Sequence, residues 1–222
     1  MIEMKLTIVY DNEVFKKNIG LRSDWGFSCL ISTDSENILF DTGANGDILL
    51  ENMKILNLNP NDIDKIIISH EHSDHYGGLK ALFSKTKDID AYRLSRDIID
   101  KKITFISPEI PESISKGVWT TGRIKGLVDE QSLVLEGNSG WYVLTGCSHP
   151  GIEKILDISR EIGEIVGIIG GFHGFNRFEL VERLDFICPC HCTTHKDDLK
   201  KAFPEKTAQC GVGKIFDLGG KT

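Results

Sequence analysis

No run of apolar residues approaches the roughly 20 needed to cross a membrane, which excludes a spanning helix. A Lys/Arg cluster is also missing. The 222 residues carry 26 basic and 33 acidic side chains, a net charge of −7. Such a chain is a poor general binder of nucleic acid or of an anionic membrane. The opening Met1-Ile2-Glu3-Met4-Lys5 contains an acid and no long apolar stretch, unlike a secretory signal. Repeats, low-complexity tracts and flexible linkers are absent. Six cysteines do not suggest a disulfide scaffold, and four of them crowd into positions 188 to 210. These absences point to a reduced, cytoplasmic protein. The 40% hydrophobic content is that of an ordinary globular chain, and the length fits one domain over residues 1–222.

Short apolar runs alternate with helical stretches. Leu6–Tyr10, Phe27–Ser32, Asn37–Phe40, Ile66–Ile68, Ser132–Glu136, Trp141–Leu144, Ile165–Ile169, Phe186–Ile187 and Lys214–Asp217 read as strands, the last at an edge. Gly137-Asn138-Ser139-Gly140 is a hairpin signal. Helical periodicity covers Asp47–Leu56, Gly151–Ile162, Phe178–Leu184 and Lys196–Phe203. Hairpins and helices occur in both halves. An α/β (α+β) arrangement of two sheets face to face, with helices outside, is the simplest layering that covers them.

Seven histidines carry the chemical information, and most sit at or just after a predicted strand. The densest group is His70-Glu71-His72-Ser73-Asp74-His75, directly after Ile66-Ile67-Ile68-Ser69. Imidazole nitrogen and carboxylate oxygen are ligands that borderline divalent metals prefer. A tight loop can aim His70 and His72 at one ion while Asp74 and His75 turn toward a second. Gly77 and Gly78 then let the backbone pass close to the site. Cys188, Cys190 and Cys192 invite a zinc-ribbon or iron–sulfur reading, but no second C-x-x-C partner exists. They and Cys147 read as small buried packing residues. Cys147 resembles a nucleophile pair with His149 only by nearness in sequence. His195 reads as a helix-start or surface residue.

The stretch His70–His75 is similar to the signature of the metallo-β-lactamase fold superfamily, and Phe40-Asp41-Thr42-Gly43 resembles that superfamily's first motif. The resemblance implies a four-layer αββα sandwich with the metals at one edge of the two sheets. It implies that Asp41 supports the metal loop from behind. Thr145-Gly146-Cys147-Ser148-His149 resembles the third motif, so His149 would complete one site with His70 and His72. Cys190-His191-Cys192 resembles the fifth, so His191 would join Asp74 and His75. The cofactor implied is Zn2+, as one or two ions, with Mn2+ or Fe2+ as alternatives.

Three stretches narrow the match. They are residues 146–152, Ile169-Gly170-Gly171-Phe172-His173 and Cys188-Pro189-Cys190-His191-Cys192-Thr193. They resemble a subfamily of "superfamily II" hydrolases and dihydropterin-ribofuranosylaminobenzene phosphate synthases. Most superfamily members place a bridging Asp where His173 falls here. That departure leaves excess positive charge, which favours anionic ligands such as phosphates. His173 is open to three roles, as a single-metal ligand, a proton donor or an anion-binding group.

The expected activity is hydrolysis of a small anionic substrate by metal-activated water, with Asp74 as ligand and proton acceptor and His173 as its catalytic companion. A transferase joining a pterin diphosphate to a ribosylaminobenzene phosphate is the alternative. Arg123 and Lys125, with Arg93 and Arg96, are the candidate phosphate contacts. An iron-based redox relative is disfavoured by the single clear Asp among histidines. Nuclease relatives exist, but the acidic charge and lack of an RNA-binding appendage point to a small-molecule partner. A homodimer is compatible with the sequence.

Overall fold

A computed structural model describes residues 3–86, 89–95 and 104–220. Two sheets form the framework. The first runs β1 (Met4–Tyr10), β2 (Ser28–Thr33), β3 (Asn37–Phe40), β4 (Lys65–Ile67), β5 (Asp90–Tyr92) and β6 (Thr104–Ile106) in spatial order. The second contains β7 (Glu112–Ser115), β8 (Val118–Thr120), β9 (Leu133–Gly137), β10 (Gly140–Thr145), β11 (Ile165–Gly171) and β12 (Phe186–Cys190), also in sequence order. The chain then returns to the first sheet, where β13 (Ile215–Asp217) pairs antiparallel with β1 at the expected edge. The helices are α1 (Gly46–Ile55), α2 (Ser73–Tyr76), α3 (Leu79–Phe83), α4 (Ile152–Arg160) and α5 (Lys196–Ala202).

Period-two patterning divides each strand between two cores. Cys29 and Ile31, Ile38 and Phe40, Leu133 and Leu135, and Tyr142 and Leu144 meet in one apolar cluster between the sheets. Their strand neighbours Leu30 and Leu39 face a second cluster that holds Ile48, Leu49 and Met53 of α1. Val134 and Val143 face a third, with Ile152, Ile155 and Leu156 of α4. Three cores between four layers give the αββα sandwich.

The outer helices follow from the same rule. The Asn45 side chain caps α1 by accepting the N–H groups of Asp47 and Ile48. Helix α4 buries Ile152, Ile155, Leu156 and Ser159, one stripe at helical spacing. Each buried Ile or Leu on that stripe stabilises the layer by about 1.5–3 kcal/mol.

One expected helix is not there. Phe178–Leu180 forms only a 3-10 turn. The Val181 N–H bonds Phe178 O and the Leu184 N–H bonds Val181 O, both three residues back. The apolar spacing Phe178, Val181, Leu184 is three, which suits the tighter winding rather than an α-helix. Among the described residues no helix is long and apolar enough to cross a membrane. Arg96 lies outside the described residues.

Candidate metal centre

Strands β3 and β4 run parallel, as do β10, β11 and β12. The chain therefore leaves them at carboxyl ends, and there it places Asp41, His70–His75, His149, His173 and His191. The turns are sharp. Asp41, Ser148, His173 and His191 have φ values of 58°, 60°, 48° and 43°, four of the six positive values among described non-glycine residues. Left-handed backbone at such residues costs of order 1–3 kcal/mol each and concentrates at functional sites.

Asp41 anchors the first loop. Its Oδ1 accepts the Ser69 N–H at 2.7 Å, and its Oδ2 accepts the Ser69 hydroxyl at 2.8 Å and lies 2.7 Å from His75 Nδ1. Ser69 Oγ lies in turn 2.8 Å from His70 Nδ1. One buried carboxylate thus orients two imidazoles, leaving their Nε2 atoms toward the cleft. The expected close approach at Gly77 is present, since a Cβ there would fall 2.3 Å from Ala44 O.

Two donor sets converge. His70, His72 and His149 bring ligand nitrogens within 4.8 Å of one another, with His70 Nε2 3.2 Å from His72 Nδ1. In the second set, Asp74 Oδ2 lies 3.1 Å from His191 Nε2 and 3.6 Å from His75 Nε2. The sets adjoin, with the His70 and His75 rings 4.1 Å apart. Outside them, the His191 Nδ1 is 2.9 Å from Asn12 Oδ1 and its backbone N–H donates to Asp11.

The electrostatics keep His70, His149 and His191 in the neutral, basic form and pull His75 the other way. Burial, aided by the other histidines, holds His70 far below the usual histidine range. Burial and the neighbouring His173 push His149 down to about 4. Burial also lowers His191, against the opposing pull of Asp74. Burial would lower His75 too, but the Asp41 and Asp74 carboxylates outweigh it and raise it. Burial opposes ionisation of Asp74, yet His191 and His75 hold it well below the carboxylate range.

Several residues of the site were not read from the sequence. Glu130 is fully buried. Its Oε1 accepts Thr145 Oγ1 and the N–H groups of Gly146, Cys147 and Ser148, and its Oε2 accepts the His149 N–H at 2.8 Å. It thereby shapes the turn that delivers His149. Cys147 lies beyond the end of β10, so strand alternation does not govern it, and its Sγ stands 3.2 Å from His75 Nε2. Cys192 Sγ is 3.1 Å from Cys147 Sγ. The Cys192 thiol and burial push Cys147 well above the usual thiol range. Cys188 and Cys190 instead face the inter-sheet core and meet Cys210. Trp25, 58% exposed, sits with its ring 4.9 Å from that of His191. An exposed aromatic in the loop between β1 and β2 gave no distinguishing sequence signal.

The remaining expectations fall at the periphery. His173 is exposed, with its ring 4.7 Å from that of His149. Arg123 is engaged by Glu109 at 2.9 Å, Asp129 at 3.2 Å and Leu94 O at 2.8 Å, none of them in the histidine cluster. Lys125 offers its carbonyl to Lys154 Nζ. Arg93 is buried against Glu71. His195 stands at the N-cap position of α5 without a side-chain capping bond, and its Nδ1 lies 3.0 Å from Asp198 Oδ2, as a helix-start residue would.

The donor chemistry fits divalent metal. Imidazole, carboxylate and thiol are the ligands zinc takes. His149 Nε2 is buried and makes no hydrogen bond, a costly state that a cation would relieve.

Residues 26–155 match the profile of the metallo-beta-lactamase superfamily. An uncharacterized protein of Methanocaldococcus jannaschii is 30% identical over 263 residues, covering 96% of this chain and all of that one. The 7,8-dihydropterin-6-methyl-4-(beta-D-ribofuranosyl)-aminobenzene-5'-phosphate synthase of the same organism is 27% identical over 87% of this chain and 90% of its own length. Among solved structures, a metal-dependent hydrolase of the beta-lactamase superfamily superposes with a TM-score of 0.76 at 25% identity, covering 98% of this chain and 100% of that one. The chain belongs to the metallo-beta-lactamase superfamily.

Proposed function

We propose that this protein is a metal-dependent hydrolase of a small anionic, phosphate-bearing molecule, working in the cytoplasm. His70, His72 and His149 would hold one zinc ion, and Asp74, His75 and His191 a second. Mn2+ or Fe2+ are the alternative metals. The observation that carries the reading is that His70, His72 and His149 bring their ligand nitrogens together beside Asp74, His75 and His191, and that the buried His149 Nε2 makes no hydrogen bond. Ions bound there would supply Lewis acidity, acidifying water and offsetting charge that develops on the substrate.

The rest of the work falls to the chain itself. Asp41 and Ser69 fix the ring orientations of His75 and His70. The Asp74 carboxylate takes the proton of the attacking water. His173, exposed beside His149, gives a proton to the leaving oxygen. Asp74 is the one carboxylate facing the cleft in these sets, because Asp41 and Glu130 are fully buried behind it. Four positive charges against so few anions favour a phosphorylated substrate.

A second reading is a transferase like the pterin-linked synthase it resembles over 87% of its length. Trp25 supports it, since an exposed indole at the rim beside His191 offers a face for a planar ring.

The test uses full-length protein stripped of metal and reloaded with zinc. p-Nitrophenyl phosphate mono- and diesters, single-stranded DNA, and the pair of pterin diphosphate and ribosylaminobenzene phosphate are offered separately. Turnover of the small esters, lost in His72→Ala and in Asp74→Asn while the melting curve of the metal-free protein stays unchanged, is the expected result. Turnover retained in either variant rejects the assignment. A joined product with diphosphate release selects the transferase, and cleavage of DNA alone replaces the substrate class.

A further inference from the structure

Six cysteines are described, and they fall into two environments. Cys29, Cys188, Cys190 and Cys210 belong to the apolar cluster between the sheets. Cys147 belongs to none of the three apolar clusters. Its sulfur faces an imidazole nitrogen of His75 at 3.2 Å and the sulfur of Cys192 at 3.1 Å. A thiol placed only to fill space has carbon around it.

Cys147 is also common to both donor sets. Its Sγ lies within 4.8 Å of ligand nitrogens from His70 and His75, from His149 and His173, and from His191, where Cys192 joins it. The first and third of these groupings reach the Asp74 set, and the first and second reach the His70 set. The surrounding backbone holds it there. The Cys147 N–H donates to Glu130 Oε1 at 2.9 Å. A Cβ on Gly171 would fall 3.2 Å from Cys147 Cα and 2.7 Å from Cys192 Sγ, so this turn has no spare room.

Charge gives the reason for a ligand at that point. Two divalent ions would bring four positive charges to donor sets in which, among the described residues, Asp74 brings the one carboxylate. Asp41 and Glu130 are committed to hydrogen bonds behind the loops. A thiolate formed between the two sets on metal binding would supply part of the missing negative charge.

We propose that Cys147 is a metal ligand placed between the two donor sets, with Cys192 as its neighbouring sulfur. This rests on the metal-centre reading above. Binding forms one sulfur–metal bond and releases the thiol proton to solvent, and no electrons are transferred. A sulfur ligand also favours zinc, cobalt or iron over magnesium, which prefers oxygen.

The test is optical and does not depend on turnover. Cobalt(II) is titrated into the metal-free full-length protein under reducing conditions. The expected spectrum has visible d–d bands together with a near-ultraviolet sulfur-to-cobalt charge-transfer band. Cys147→Ser loses the charge-transfer band and keeps the d–d bands. Cys190→Ser, altered in the inter-sheet core, keeps both. X-ray absorption of the zinc-loaded wild-type protein needs no variant and shows sulfur at about 2.3 Å in the coordination shell. Cobalt uptake with d–d bands alone overturns the proposal and leaves the metal centre standing. A band lost in Cys190→Ser but kept in Cys147→Ser assigns the sulfur elsewhere and overturns it as well. Failure to take up cobalt at all overturns both readings.

Discussion

Glu130 shows how much one side chain can organise. It is buried, and five donors from residues 145 to 149 converge on its two oxygens. Replacing it by Gln puts an amide NH2 against a donor whichever way the group turns, because both oxygens are in use. Glu130→Gln should therefore lose about 2–4 kcal/mol of stability, read as a lowered denaturation midpoint with an unchanged slope. Nothing in the sequence announced this role, since the acid stands fifteen to nineteen positions before its partners and only the fold brings them together. His70, His72, Asp74 and His75 stood out because their residue types are scarce and their spacing is tight, whereas His149 and His191 entered only through the family resemblance. The two cleft cysteines were visible as residues but not as orientations. One follows the end of β10, the other follows the positive-φ turn at His191, and period-two logic fails at both.

At the scale of elements, the cleft depends on loops that approach with almost no clearance. Gly146 follows β10 beside Ser69, and a Cβ there would fall 2.2 Å from Ser69 Oγ and 3.1 Å from His70 Nδ1. Gly146→Ala should leave the sheets intact while displacing the His70 loop, with an overpacking cost of about 1–3 kcal/mol. Isothermal titration with zinc should show weakened binding in that variant, and wild-type affinity would argue against the tight contact. The longer strands were readable because five or more residues reveal alternation. Strands β5 to β8 were not, since with three or four residues each they also lack the unbroken apolar runs, Ile38-Leu39-Phe40 and Ile66-Ile67-Ile68, that marked the equally short β3 and β4. The segment after His173 misled in the other direction. Its apolar residues recur every third position, close enough to helical spacing to be read as one.

Across the whole molecule, the four-layer plan followed from hairpins and helices in both halves, and the location of the cleft followed from histidines after strands. The division of labour between the sheets did not. Asp41, His70, His72, Asp74 and His75 hang from the first sheet, whereas Cys147, His149, His173, His191 and Cys192 hang from the second. An ion shared by these groups would fasten the sheets together at one rim. Zinc at a thousand times its dissociation constant would add about 4 kcal/mol of stability. Adding it to stripped protein should raise the melting temperature, and hydrogen exchange should slow at the ends of β3, β4, β10 and β12 rather than uniformly. Equal slowing everywhere would speak against a rim fastening. With metal bound as proposed, the same arrangement would tie lifetime to nutrition. In a cell starved of trace elements the seam would gape more often, peptidases would find it, and the amount of protein would fall along with its turnover.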